Sequence, residues 1–430
     1  MNPLILLLGG FFALIAIRVP LAFALILSSL AVIIQLGLPF VSIANQLFTG
    51  INSFPLLAVP FFLILGNLLT TGGITERLID VANAWVGHIK GGLGHVNVVV
   101  SMLFAGLSGS PASDAAGEGA VIIPAMVKSG FDKDFTVAIT ACSSVLGAII
   151  PPSITMVLYG AMGQVSVGAL FLAGIVPGIL IGFSQMGYVA YMAHRRNYPA
   201  LPKATWKERL VRTVRAVPPL SIPLIILGGI TQGIFTATEA AAVSLFIGLF
   251  LVYVVYRDTS WKELPKLFTE GVITFSLPMF AVACACVLGW LIAYLDAPAM
   301  IARAMMSLTT SYFGIYAMLI IFLLIIGTFL SPVASIIIFL PIIQEMGNAG
   351  GINPVHLGVI VTVLLALGQV TPPYGICLLI DCQIAGLSMP RAFKATIPIL
   401  ILAIGVVFIG IIFPDLFLFI PKLLMPAIFQ

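Results

Sequence analysis

The chain has 430 residues, 61% of them hydrophobic and only 8% charged, with 19 Lys and Arg against 15 Asp and Glu and a net charge of +4. A water-soluble surface needs roughly a quarter to a third of its positions charged. With a mean hydropathy of +1.20, this composition excludes a cytosolic enzyme, a disordered tail, a secreted disulfide scaffold and a nucleic-acid binder, and leaves a polytopic membrane protein.

In lipid every backbone amide must find a partner within the chain, so apolar runs of about 20 residues read as helices. In chain order these fall at 4–17, 20–36, 54–73, 168–193, 216–234, 237–256, 271–295 and 395–414. Runs at 92–129 and 313–349 are broken near the centre by a polar, Pro-containing cluster, and runs at 132–164 and 354–384 are interrupted midway. The ten-residue alternation of a membrane barrel is absent. No basic leader or small-residue cleavage site precedes the first run, which is therefore read as mature protein. The stretch Thr75 to His88, with Glu76, Arg77, Asp80 and Asn83 on one side, predicts an amphipathic helix along the inner interface. Residues 297–309, with Arg303 as their single charge, predict its outer counterpart.

Lys and Arg orient the spans. Residues 194–215 hold seven of them against a single acid, Glu208, and are predicted to be cytoplasmic. Counting crossings from that anchor puts seventeen of the nineteen basic residues inside, Arg18 among them, and only Arg303 and Lys422 outside. The C-terminus then lies on the outer side, and the chain crosses the membrane many times.

The sequence repeats itself. Gly106, Ser110, Pro111, Gly147, Pro151, Pro152 and Pro177 are matched by Gly327, Ser331, Pro332, Gly368, Pro372, Pro373 and Pro398, all at an offset of 221. The number of crossings between the copies is odd, so the repeats are inverted, as in secondary transporters with a site at mid-membrane. The predicted fold is all-α and polytopic, with two inverted repeats, each carrying a re-entrant helical hairpin and a broken transmembrane helix. The predicted divisions are scaffold helices at 1–53, a first repeat at 54–200, a basic loop and linking helix pair at 201–270, and a second repeat at 271–430. The hairpins are 92–129 and 313–349, and the broken helices 132–164 and 354–384.

Proline lacks an amide donor and disfavours helix in the residue before it. Each Gly…Pro-Pro break should therefore leave carbonyls at Ile149–Ile150 and at Val370–Thr371 outside any helix. Carbonyls and helix C-termini suit Na⁺, and the N-termini of opposed half-helices suit an anion. The hairpin tips add the hydroxyls of Ser108, Ser110, Ser113, Thr328, Ser331 and Ser335. Acids inside apolar runs are functional candidates: Asp114 either receives Na⁺ or fixes the tip by bonding its amides, Glu118 faces the scaffold, and Asp381 serves cation coupling or a polar interface. Glu239, Asp296 and Glu345 fall near outer ends of spans, where water solvates them. The five cysteines and four histidines form no metal set, and HExxH, GxSxG and a convergent His–acid group are all missing. The expectation is a transporter without cofactors, not an enzyme, with Na⁺ as its only metal.

The run Ser108-Gly-Ser-x-x-x-Asp114 with Gly119, the breaks Gly147…Pro151-Pro152-Ser153 and Gly368…Thr371-Pro372-Pro373, and the segments 53–62 and 71–77 resemble the large membrane subunit of tripartite ATP-independent periplasmic (TRAP) transporters across essentially the whole chain. The resemblance implies an elevator-type ion transporter of the bacterial inner membrane, with a periplasmic C-terminus: hairpins and broken helices slide against a scaffold, driven by Na⁺. It implies two partners, a separate four-helix small membrane subunit and a periplasmic protein that captures an organic acid anion, of the C4-dicarboxylate, keto acid or sialic acid class. Carried over, one Na⁺ site would use Ser108, Ser110, Gly147 and Ile150, and the other Gly327, Leu330, Gly368 and Thr371. Substrate would lie between the tips, near Ser110, Pro111, Pro152, Ser153, Ser331 and Pro373. Many members carry an acid where this chain has Ser331. The second reading is a stand-alone Na⁺-coupled carboxylate symporter of related fold, without a binding protein.

Overall fold

The computed structural model describes residues 2–17, 19–257, 259–297, 300, 309 and 311–429. Among these there is no strand. The chain opens with α1 (Pro3–Ala16), α2 (Leu21–Leu36), α3 (Val41–Ile51) and, after a 3₁₀ turn, α4 (Ala58–Thr71). Next come α5 (Ile74–Val86), the hairpin α6 (Gly92–Ser108) and α7 (Pro111–Lys128), the half-helices α8 (Lys133–Ser144) and α9 (Ile154–Gly163), and α10 (Val167–Arg196). A pair, α11 (Trp206–Thr231) and α12 (Ala237–Phe250), leads to α13 (Leu264–Tyr294). The second hairpin is α14 (Tyr312–Phe329) and α15 (Pro332–Ala349), followed by the half-helices α16 (Pro354–Gly368) and α17 (Ile376–Ala385), then α18 (Met389–Ile412) and α19 (Pro414–Leu424).

The offset of 221 carries into the element boundaries. Shifted by it, Pro111–Lys128 falls on Pro332–Ala349, and α6, α8 and α9 fall within three residues of α14, α16 and α17. The half-helices α9 and α17 have ten residues each, or roughly 15 Å at 1.5 Å per residue. That is half of the ~30 Å apolar thickness, so each break sits mid-membrane.

Several boundaries differ from the sequence reading. The basic segment 194–215 is helical at both ends: α10 runs on to Arg196 and α11 begins at Trp206, where Thr205 and Glu208 form a capping box. Charges ended the apolar count but do not end a helix whose amides are capped. Helix α3 was hidden because its eleven residues include Asn45 and Gln46; it meets the next helix at 61°. Glu239 is the capping partner of Thr236 at the start of α12. The predicted inner helix is α5, burying Leu78, Val81 and Ala82 and exposing Glu76 and Asp80. Arg18, Arg303 and most of the expected outer counterpart (298, 299 and 301–308) lie outside the described residues.

The two repeats interlock. The second hairpin leg of each packs on the second half-helix of the other, α7 on α17 and α15 on α9. Gln344 of α15 donates to the Gly163 carbonyl of α9 at 2.8 Å. Helices α2, α3 and α4 pack on α13, and α12 packs on α4.

On the Lys- and Arg-rich side, α8 and α10 are tied by Asp132, which accepts from the Tyr198 hydroxyl and from Arg196 Nη1, both at 2.7 Å. The Tyr198 hydroxyl first, and then Arg196, hold the Asp132 carboxyl below its usual range. A lowered folded value contributes stability above the unfolded value of about 3.9, lost as pH falls through the folded one. Asp132→Asn is therefore expected to lower the melting temperature at pH 7, modestly because the group is half exposed, and to converge on the wild type as pH falls below about 4. Melting curves of both proteins across the acid range check this.

Candidate functional site

Helix α6 stops at Ser108 because Gly109 turns left-handed, at φ +66°, where a Cβ would lie 2.9 Å from the Pro152 carbonyl oxygen. Pro111 restarts the helix at a position whose amide would have no partner in any case. The Gly109 carbonyl accepts from Ile154 N at 3.3 Å, which ties the tip to its own broken helix. The second tip repeats the device: Ser331 Oγ accepts from Ala334 N at 3.3 Å, and Tyr374 N donates to the Thr328 carbonyl at 3.0 Å.

At the first break, Ile149 N and Ile150 N both donate to the Leu146 carbonyl, at 2.9 and 2.8 Å. The Ile149 oxygen faces Gly174 of α10, where a Cβ would stand 2.4 Å away, so the carbonyl expected to open into the site is turned into packing. Ser153 caps α9, accepting from Met156 N at 3.2 Å, and donates to the Ala148 carbonyl at 2.5 Å. At the second break, the Gln369 carbonyl accepts from Cys377 N at 3.1 Å, and the Thr371 hydroxyl donates to Leu367 at 3.1 Å. Gly368 lies so close to Gly327 that a Cβ on it would be 2.6 Å from three Gly327 backbone atoms.

The acids are fully buried. Asp114 accepts from the Ser108 hydroxyl, which in turn accepts from Ser110 N at 3.3 Å. It therefore shapes the tip through that hydroxyl rather than by bonding the tip amides. Its Oδ2 has no hydrogen-bond partner and points at Gly147, where a Cβ would be 2.3 Å away. Glu118, expected against the scaffold, is turned inward instead: it accepts from Ser101 at 2.7 Å, in a chain that runs through Ser143 and Asn97 to Thr140. Its place one turn beyond Asp114 put both on one face, and the polar residues on α6 and α8 were the missed signal. Asp381 of α17 is wholly buried without a hydrogen-bond partner on either oxygen, and its Oδ1 is 2.6 Å from where a Cβ on Gly119 would be. Among the described residues no three His, Cys, Asp or Glu converge as a metal set, and all five cysteines are free.

The two tips meet at a cavity of about 500 Å³. Its lining obeys the repeat: Val59 and Phe280, Ser110 and Ser331, Pro111 and Pro332, Ala112 and Val333, and Thr155 and Ile376 are pairs at the offset of 221. A hollow lined by equivalent residues of both copies lies on the axis that relates them. No ionisable side chain lines it; its polar side chains are Ser110, Thr155, Ser331 and Gln369. Of the residues expected near substrate, Ser110, Pro111 and Ser331 are in the lining, whereas Pro152, Ser153 and Pro373 are not. Ser153 is used up as a cap. Thr155 and Gln369, beside the breaks, escaped sequence reading, although the offset would have paired Thr155 with Ile376.

A family model described as "Tripartite ATP-independent periplasmic transporter, DctM component" matches residues 8–416. The chain is 36% identical over 417 residues to the sialic acid TRAP transporter large permease protein SiaM of Vibrio cholerae, covering 96% of this chain and 97% of that one. It is 39% identical over 382 residues to the C4-dicarboxylate TRAP transporter large permease protein DctM of Pseudomonas aeruginosa, covering 89% of each. Among solved structures, the Alcanivorax borkumensis YdaH transporter, described as having an unusual topology, superposes with a TM-score of 0.64 at 12% identity, over 87% of this chain and 88% of that one.

Proposed function

From the membership of this chain in the DctM component family of tripartite ATP-independent periplasmic transporters, we propose that it is a large permease subunit that imports an organic acid with Na⁺ by an elevator movement. The observation that carries this reading is the cavity on the axis of the repeats, where two hairpin tips and two broken helices converge without an ionisable side chain. A carboxylate entering it meets the N-termini of α7 and α15, whose free amides and dipoles attract anions. The rest of the positive potential comes from Na⁺ beside the breaks. One ion is held around Asp114 Oδ2, Ser108 and Gly147, where a cation would satisfy the unpartnered oxygen. The other lies at Gly327, Gly368 and Thr371, held by hydroxyl and carbonyl oxygens.

Hairpins and half-helices are bonded to each other at both tips and interlocked across the repeats, so they move as one body against the frame around α4 and α13. The partners are a small membrane subunit and a periplasmic binding protein. The substrate belongs to the class named for the relatives, sialic acid or a C4-dicarboxylate.

The test is uptake of labelled sialic acid and succinate into proteoliposomes, with and without the partner subunits, under Na⁺ or K⁺ gradients. Uptake that is indifferent to replacing Na⁺ by K⁺ would overturn the coupling. Uptake that needs no partner would favour the stand-alone symporter. Ser110→Ala and Thr371→Val should each raise the Na⁺ concentration for half-maximal uptake several-fold, while Cys142→Ala, which removes a buried free thiol, should leave it unchanged.

A further inference from the structure

Between the interfacial helix α5 and the first turns of α11 lies a crevice of about 560 Å³, lined by Arg77, Arg212, Arg215, Glu76, Asp80 and Tyr256. Arg77 is held in place: Nη1 donates to the Gly73 carbonyl at 2.6 Å, and the guanidinium lies 4.0 Å over the Tyr256 ring. Among the described residues neither Arg212 nor Arg215 has a carboxylate within 4.0 Å, although two acids line the same space. One turn earlier, Arg209 is buried over the rings of Trp85 and Trp206, at 5.5 and 5.3 Å, and its Nε and Nη2 have no hydrogen-bond partner. Trp85 Nε1 donates to Thr213 at 3.0 Å and fixes α5 against α11. Beside the arginines, Leu210, Val211, Val214 and Val217 present exposed apolar side chains.

We propose that this crevice binds an anionic phospholipid, its phosphodiester on Arg212 and Arg215 with Arg77 behind them, and its acyl chains along the exposed strip of α11. A guanidinium fork matches phosphate oxygens bidentately. Basic pockets between helices on the cytoplasmic side suit anionic headgroups, and the basic residues assign this end of the helices to that side. Among the described lining residues three guanidiniums outweigh two carboxylates; Glu208, one turn before Arg212, is bonded to Thr205, and Glu76 and Asp80 are exposed, so water and salt screen them. A free phosphate would leave the apolar strip in water. A lipid covers both.

The protein, purified in detergent with any subunit that accompanies it and stripped of lipid, is titrated with phosphatidylglycerol, phosphatidylcholine or glycerol 3-phosphate while its melting temperature is followed. Phosphatidylglycerol is expected to raise the melting temperature by several degrees and the other two not to. Arg212→Ala with Arg215→Ala should abolish that shift, and Lys203→Ala with Lys207→Ala should keep it. Native mass spectrometry should show one bound phosphatidylglycerol fewer in the arginine variant. Arg212→Gln with Arg215→Gln, checked by size exclusion, serves if the alanine variant does not fold. Equal shifts in wild type and variant overturn the proposal. So does a full shift from glycerol 3-phosphate, which marks a soluble-phosphate site, or loss of an accompanying subunit with lipid binding intact, which marks a protein contact.

Discussion

Gly368→Ala should strongly impair transport, although it adds a single methyl group. The added carbon would lie 2.6 Å from the Cα, carbonyl carbon and carbonyl oxygen of Gly327. Main-chain atoms of one membrane hairpin cannot swing aside as a flexible side chain would. Either the second hairpin lifts from its broken helix or the helix shifts, and both open the oxygens proposed to hold Na⁺. Overpacking costs roughly 1–3 kcal/mol, and applied to one conformational equilibrium that is roughly 5- to 150-fold. Gly405→Ala in α18 is the control, since nothing lies within 4 Å of its added carbon and alanine favours helix. Initial uptake rates, with melting temperatures to separate transport from folding, decide the matter. A Gly368→Ala protein with wild-type uptake would mean that the two glycines need not touch.

Asp114→Asn should raise the Na⁺ requirement more than any hydroxyl substitution at either tip. Asparagine preserves volume, but either it replaces the oxygen facing Gly147 with an NH₂ group, or it turns that group on the Ser108 hydroxyl. In the first case a hard cation loses an oxygen ligand, and in the second a neutral oxygen replaces the charged one it prefers. Hydrogen bonds to charged groups are worth roughly 1.5–3 kcal/mol, so half-saturation by Na⁺ should move by at least about tenfold. The second site has no such acid, because the residue 221 positions on is Ser335, whose hydroxyl donates to the Ser331 carbonyl at 3.0 Å. Thr371→Val should accordingly move the requirement less. A Na⁺ titration of the melting temperature tests both, and equal effects of the two variants would refute an unequal pair of sites.

The repeat was legible because proline and glycine act locally. Their consequences need no knowledge of neighbours, so the breaks and tips emerged from residue order alone. The inward turn of Glu118 was not legible, since the partner that holds it, Ser101, stands seventeen residues away on another helix. The same limit applied to the Ile149 carbonyl. A double proline announces that a helix ends but not where the freed oxygen turns, and here Gly174 takes it. The cavity walls from α4 and α13 read as plain apolar spans. Only the offset that pairs Val59 with Phe280 distinguishes them from other lipid-embedded residues.

The crosswise seating of α7 on α17 also constrains the order of events at the ribosome. The face of α7 that carries Asp114 and Glu118 is completed only when Asp381 and its helix emerge, some 270 residues after Pro111. At about 5–20 residues per second, the nascent first half waits roughly 15–50 s with its acidic row uncovered. Some other shelter, whether the insertion machinery or a water-filled groove, must hold it until synthesis of the second half is nearly done.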